Sequence, residues 1–280
     1  MKKKYYLAAG AVLAVLAVPF GWWQNNGLTV SRYEYAAEKV GRELDGFTIV
    51  QISDLHNHRF GPGQSRLIEA AAGLEPDLIV ITGDIVDCHR TDLAPALELV
   101  RGLAGLAPVY YVTGNHEWVL SAAVREELLA GLEAAGAAVL ENRTAQISAG
   151  EGGFTLIGLS DRNLTDGTLA NLMDGIPEGT LTVLLAHEPQ HWDRYAAAGA
   201  DLVFSGHAHG GQVRLPLVGG LFAPGQGVLP ELTEGVHTAG EAALAVSRGL
   251  GNSIFPLRLF NRPEVVAVTL RAQEGQEGIS

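Results

Sequence analysis

From Thr48 onwards one pattern recurs that few folds can satisfy: a short apolar run ends in a polar motif, and a helical stretch follows. The runs are Thr48–Ile52, Leu78–Thr82, Val109–Val112, Phe154–Leu159, Leu181–Ala186 and Leu202–Phe204. Rich in Val, Ile and Leu and too short for helices, they read as buried strands of an α/β sheet. Between them Ser65–Leu74, Leu93–Leu106, Val124–Gly136 and Gln190–Ala198 read as helices, with Gly73, Gly105, Gly136 and Gly199 near their ends as stops. Ala138–Leu140, Gln146–Ser148, Ala243–Ser247 and Val265–Leu270 are further strand candidates, and Leu28–Lys39 reads as an opening strand. The expectation is two sheets, or one large mixed sheet, flanked by helices. Leu215–Thr238, dense in Gly and Pro, reads as a working lid or a disordered insert.

Composition narrows the chemistry. Cys88 is the only cysteine in 280 residues, which excludes an internal disulfide and a Cys-rich zinc or iron–sulfur module. A net charge of −12 disfavours broad nucleic-acid binding, which needs clustered Lys and Arg.

Nearly every run ends in a candidate metal ligand: Asp54-Leu55-His56, Gly83-Asp84, Gly114-Asn115-His116-Glu117, His187, and Gly206-His207-Ala208-His209. The carboxyl ends of strands in an open α/β sheet share one edge, so these side chains are expected on a common rim. The i, i+2 spacing predicts that Asp54/His56 and His207/His209 each approach a centre as a pair, and the glycines at 83, 114 and 206 are expected to allow sharp turns. A mixed oxygen and imidazole shell suits Zn, Mn or Fe and excludes an all-oxygen Mg or Ca cage. Seven ligands suit two ions sharing a carboxylate, and paired metals are suited to in-line displacement at phosphorus.

As a set, over about Leu44–Leu270, these motifs resemble those of the calcineurin-like metallophosphoesterases. The resemblance implies the metallophosphatase fold, a four-layer α/β/β/α sandwich of two mixed β-sheets flanked by helices. It also implies that Asp54, His56 and His209 bind one metal and that Asn115, His187 and His207 bind the other. Asp84 bridges them and serves in catalysis, while His116 protonates the leaving oxygen or stabilises the transition state. Glu117 stands where many members have Asp and is read as supporting the ligands. The implied reaction is hydrolysis of a phosphodiester or pyrophosphate by in-line attack of a metal-bridging hydroxide. The alternatives are a phosphomonoesterase or protein phosphatase using the same site, and a silent membrane-tethered binding scaffold. Ser247-Arg248-Gly249-Leu250-Gly251 and Asn261-Arg262-Pro263-Glu264 are similar to a membrane-associated or exported bacterial phosphodiesterase branch, some of whose members cleave UDP-2,3-diacylglucosamine. The implied substrate is thus a small phosphate ester or a nucleotide-linked lipid, with Gln212 and Arg248 at the site rim. No obligate protein partner is expected.

Residues 1–26 read as an N-terminal membrane anchor or signal segment and 27–280 as the metallophosphoesterase domain. Lys2, Lys3 and Lys4 precede the uncharged run Tyr5–Trp23, which as a helix would span about 28 Å, close to a bilayer's hydrocarbon thickness. An uncleaved single-pass anchor is expected, with a cleaved signal as the alternative. The lysines favour an extracytoplasmic domain, and Arg32, Lys39 and Arg42 weaken that preference. Asp87, Cys88 and His89 are read as a loop at the site mouth. Arg59, beside His58, is either a phosphate ligand or an exposed charge, and His191 and His237 are read as surface residues.

Overall fold

In the central strands alternate residues face different layers, and both faces are apolar. The computed structural model describes residues 15–160, 162, 164–253 and 255–273. Sheet I has the order β1 (Thr29–Ala37), β16 (Glu264–Ala272), β2 (Thr48–Ile52), β3 (Leu78–Thr82), β4 (Val109–Val112) and β5 (Ala137–Val139). Sheet II has the order β14 (Gly235–Ala239), β15 (Ala242–Val246), β9 (Leu202–Ser205), β8 (Thr182–Leu185), β7 (Gly152–Gly158) and β6 (Arg143–Ala149). Strands β2 to β5 are parallel, as are β7, β8, β9 and β15. Antiparallel β16, β14 and β6 make both sheets mixed.

Ile49, Val80 and Val112 point between the sheets and meet Leu156, Val183 and Phe204. Val50, Ile79 and Ile81 face the opposite way, onto Leu67 of α2 (Ser65–Ala72), Leu99 of α3 (Ala94–Leu103) and Leu128 of α5 (Ala122–Ala134). The outer face of sheet II is covered by α6 (Asp166–Met173) and α7 (Trp192–Ala197), which bring Leu169, Trp192 and Tyr195 against Leu184 and Val203. These are the four layers, α/β/β/α. Gln51, in the inter-sheet layer, donates to Thr82 Oγ1 at 2.9 Å and to the Ser205 carbonyl at 2.8 Å, tying the two sheets directly beneath the strand-end rim.

Leu215–Thr238 is ordered, not a disordered insert. It holds the hairpins β10–β11 (Arg214–Leu215, Gly219–Gly220) and β12–β13 (Phe222–Ala223, Gly227–Val228), and its end forms edge strand β14. Two-residue strands give no periodicity to read. Order here comes from side chains instead: the Gln226 amide both donates to and accepts from the Leu232 backbone.

Residues 15–26 form helix α1. Among the described residues no helix is long and apolar enough to cross a membrane, and the part of Tyr5–Trp23 before Val15 lies outside them. Gln24 and Asn25 belong to the folded body across the boundary drawn at residue 26. Gln24 Oε1 accepts from the Asn261 N–H, and Asn25 Oδ1 accepts from the Asn252 amide and the Arg258 N–H.

Candidate metal centre

The ligand motifs sit where β2, β3, β4, β8 and β9 end, on one rim shared by the two sheets. The turns there are made by the ligands themselves. Asp54, His56, Asp84, His207 and His209 all have φ between 44° and 63°, the left-handed region, which costs a non-glycine residue about 1–2 kcal/mol. This corrects the reading of the glycines. Of the three, only Gly83 has positive φ; Gly114 and Gly206 serve close approach. A Cβ on Gly206 would lie 1.9 Å from Ser53 Oγ, and one on Gly114 would lie 2.3 Å from Asp84 Oδ1.

All seven expected ligands come together. Asp54, His56, Asp84 and His209 present ligand atoms within 4.8 Å of one another, and so do Asp84, His187 and His207. Asp84 Oδ2 is common to both groups, 3.6 Å from His56 Nε2 and 3.3 Å from His187 Nε2. His56 Nε2 and His209 Nε2 are 3.2 Å apart, and Asp54 Oδ1 lies 3.6 Å from the latter. His187 Nε2 faces Asn115 Oδ1 at 3.1 Å and His207 Nδ1 at 3.2 Å. Asp54 and His56 converge as a pair, but His207 and His209 go to different groups. The i, i+2 expectation assumed extended chain, whereas all four residues are left-handed, so spacing alone does not decide which pair converges.

Electrostatics favour ligation. Burial lowers His56 and His207 to about 3 and holds His209 well below the usual histidine range, so these imidazoles are neutral with a lone pair to offer. Burial raises Asp54 to about 6, whereas for Asp84 it is outweighed by His187 and His56, which hold that carboxyl well below its usual range. The His187 imidazole is raised in turn, because Asp84 overcomes its burial. The hydrogen bond between His187 Nδ1 and the Thr82 carbonyl at 2.7 Å leaves Nε2 facing the cluster. A buried site with paired carboxylates, an amide oxygen and four imidazoles, those of His56, His207 and His209 neutral, fits divalent transition-metal ions.

His116 lies in the first turn of the short helix α4 (Asn115–Val119), its backbone N–H donating to Asp84 Oδ1 at 2.8 Å. Its Nδ1 accepts from the Cys88 N–H at 3.1 Å, so in the neutral ring the proton sits on Nε2, which faces Ser253 Oγ at 3.2 Å. Glu117 supports the rim, as expected. Its carboxylate accepts from the N–H groups of Asp84, Val86 and Gly114, while burial and Asp84 push its pKa up to about 7. Asp87 is buried, caps His89 and pairs with Arg90.

Residues 248–253 and 255–261 pack over Asp54 and carry three contributors whose roles the motifs there did not foretell. Leu250 and Gly251 N–H groups donate to the Asp54 carbonyl. Arg258, only 1% exposed, donates to the carbonyls of Arg248, Gly251 and Asn261 and to Asn252 Oδ1. Asn261 Nδ2 reaches the His209 and Gln212 carbonyls and so fixes the His209 turn. Ser253 is the third. Gln212 lines the site as expected. Arg248 does not; its guanidinium turns to Glu264, Glu234 and Thr29. Arg59 pairs with Glu98 and Asp92, and His191 and His237 bond locally to Glu188 and the Glu234 carbonyl, away from the cluster.

Two hollows flank the centre. One of about 280 Å³ is lined by Asp84, Asn115, His116, His207 and His209 together with Phe222, Pro224 and Phe255. The other, about 460 Å³, is polar, with His56, Asn57, His58, Arg59, Arg90 and Asn252 on its walls.

A family model for calcineurin-like phosphoesterases matches residues 47–211, more than half of the chain. The chain belongs to the calcineurin-like metallophosphoesterases. As a member it is a metal-dependent phosphoester hydrolase, with a buried Asp/His cluster compatible with a dimetal site. This metallophosphoesterase is 30% identical over 280 residues, 95% of its own chain and 94% of the other, to the metallophosphoesterase YkuE of Bacillus subtilis. It is 32% identical over 232 residues to phosphodiesterase YaeI of Escherichia coli, covering 80% and 82% of the two chains. A transmembrane protein with metallophosphoesterase domain from Bos taurus is 28% identical over 264 residues, 87% of this chain and 57% of that one.

Proposed function

We propose that this metallophosphoesterase is a phosphodiesterase or pyrophosphatase, cleaving a P–O bond whose phosphorus carries substituents on two sides. The observation that carries this reading is the pair of hollows meeting at the His56–His209 contact, one lined by His56 and the other by His209. A diester needs room on both sides of phosphorus, whereas a monoester needs it on one. The name of the relative YaeI, a phosphodiesterase, points the same way.

In this reading Asp54, His56 and His209 would hold one cation and Asn115, His187 and His207 the other, with the Asp84 carboxylate within reach of both groups. Two such ions, of Mn, Fe or Zn, would supply positive charge for the phosphoryl oxygens and lower the pKa of water. His116 stabilises the transition state by donating a hydrogen bond from Nε2–H toward the leaving oxygen, and the Cys88 N–H on Nδ1 fixes the tautomer that points this N–H outward. Ser253 orients the Nε2 face. Tethering through Tyr5–Trp23 is part of the proposal, supported by relatives named as transmembrane proteins.

Hydrolysis of bis-p-nitrophenyl phosphate and p-nitrophenyl phosphate by the Mn²⁺-loaded full chain tests the reading. Faster turnover of the diester is expected; preference for the monoester, or turnover of neither, contradicts it.

A further inference from the structure

We propose that the mouth of the metal site is a membrane-docking face whose occupant is the interfacial layer of a lipid bilayer. This holds whichever phosphoester the site cleaves. Among the described residues, all exposed large apolar side chains except Val30, Leu106, Val119 and Val236 fall in three stretches: 15–23, 215–229 and 255–260. Leu217 is 109% exposed and Val228 77%. Soluble monomers seldom leave such side chains clustered in the open unless something binds there.

The three stretches form one surface. The Phe20 ring lies 5.9 Å from Phe260, and Gly21 rests against Leu257. Val213 bridges to Leu259, which seats the β10–β11 hairpin beside them. Phe222 pairs with Val228 across β12–β13, and Phe222 and Phe255 both line the smaller hollow beside the ligands. The apolar rim therefore borders the smaller hollow beside the metal ligands.

Three observations select lipid over a second copy. The uncharged run that starts at Tyr5 continues through α1 directly onto this face. Trp22 and Trp23 stand half-exposed beside Arg66 and Arg262, with the Arg262 guanidinium 4.6 Å from the Trp23 ring centre. Amphipathic aromatic rings and basic side chains are the pairing found at headgroup level. Finally, Leu217, Val218 and Val228 stand on hairpins of two-residue strands, which penetrate a fluid layer but offer no flat surface for rigid packing.

Depth-dependent quenching tests this on the full chain. Single cysteines at Leu217, Val228 and Glu178, in a Cys88→Ser background, carry an environment-sensitive fluorophore, and the protein is reconstituted into phosphatidylcholine–phosphatidylglycerol vesicles with brominated acyl chains. Glu178 lies in the turn before β8, at the opposite end of the strands from the site. Labels at 217 and 228 are expected to shift to the blue and lose most of their emission, while the label at 178 does not change. Equal responses at all three positions overturn the proposal. So does shielding of 217 and 228 in lipid-free detergent accompanied by a doubling of mass, which would identify a second copy as the occupant. No turnover is measured, so this outcome is separate from that of the phosphodiesterase test.

Discussion

The metal centre is framed by two regions built in opposite ways. On the strand-end rim, Asp54, Asp84, Asn115, His187 and His207 each lie within three residues of a buried strand's end, so backbone pairing across sheets I and II positions them. Among its described residues the loop at 248–261 has no strand of its own. It hangs on Arg258, whose guanidinium satisfies three backbone carbonyls from the inside, and on Asn261, which grips the His209 turn. A rim fixed by strands encodes its chemistry locally, in motifs of two to four residues. A loop fixed by one buried cation encodes it in contacts that close only after folding.

Substitutions on either side sharpen this contrast. The largest effect is expected at the rim. His116→Ala should keep both metals while the rate of diester hydrolysis falls by about 10²–10⁴-fold, read by steady-state kinetics alongside metal analysis. Loss of a metal equivalent would make His116 a ligand and not a hydrogen-bond donor to the leaving oxygen.

In the loop, Arg258→Met should leave the metal count intact but weaken folding, by about 1–3 kcal/mol for each buried carbonyl left without a donor. A lower urea midpoint with an unchanged metal ratio is the expected signature. An unchanged midpoint would mean that the loop is held by something other than its arginine. Burial lowers Arg258 to about 10, which leaves it charged at neutral pH, so the full donor set is in use under ordinary assay conditions.

The smallest effect is expected at Arg59. Its side chain is 46% exposed and engaged by Glu98 and Asp92, so Arg59→Ala should change stability by less than about 1 kcal/mol. Turnover of bis-p-nitrophenyl phosphate should be nearly unchanged. A large rise in KM would show that the arginine leaves its carboxylates to bind substrate phosphate.

The same contrast explains what the sequence made legible. The strand ends and the convergence of Asp54, His56, Asp84, Asn115, His187, His207 and His209 could be read because each depends on residues adjacent in the chain. Helix α4 was missed because Gly114-Asn115-His116-Glu117 reads as a turn; its stability comes from Glu117 accepting the Gly114 N–H and His116 donating to Asp84. Helix α6 shows only Leu169 and Leu172 as buried apolar positions, too little periodicity to announce itself, although Thr165 caps it. Arg258 and Ser253 have no local signal, and the motif at Asn261-Arg262-Pro263-Glu264 does not say what Asn261 holds. Their roles arise from pairings such as Ser253 with His116, separated by 137 residues. The separate destinations of His207 and His209 agree with the family resemblance and not with the i, i+2 spacing, which holds only for extended chain.

Metal stoichiometry tests the dinuclear reading most directly. The full chain loaded with Mn²⁺ and freed of excess ion should retain two equivalents by plasma mass spectrometry, and Asp84→Asn, which alters the carboxylate common to both groups, should retain fewer and lose activity. One equivalent in the wild type, or two in the variant with activity intact, would contradict a centre in which Asp84 serves both ions.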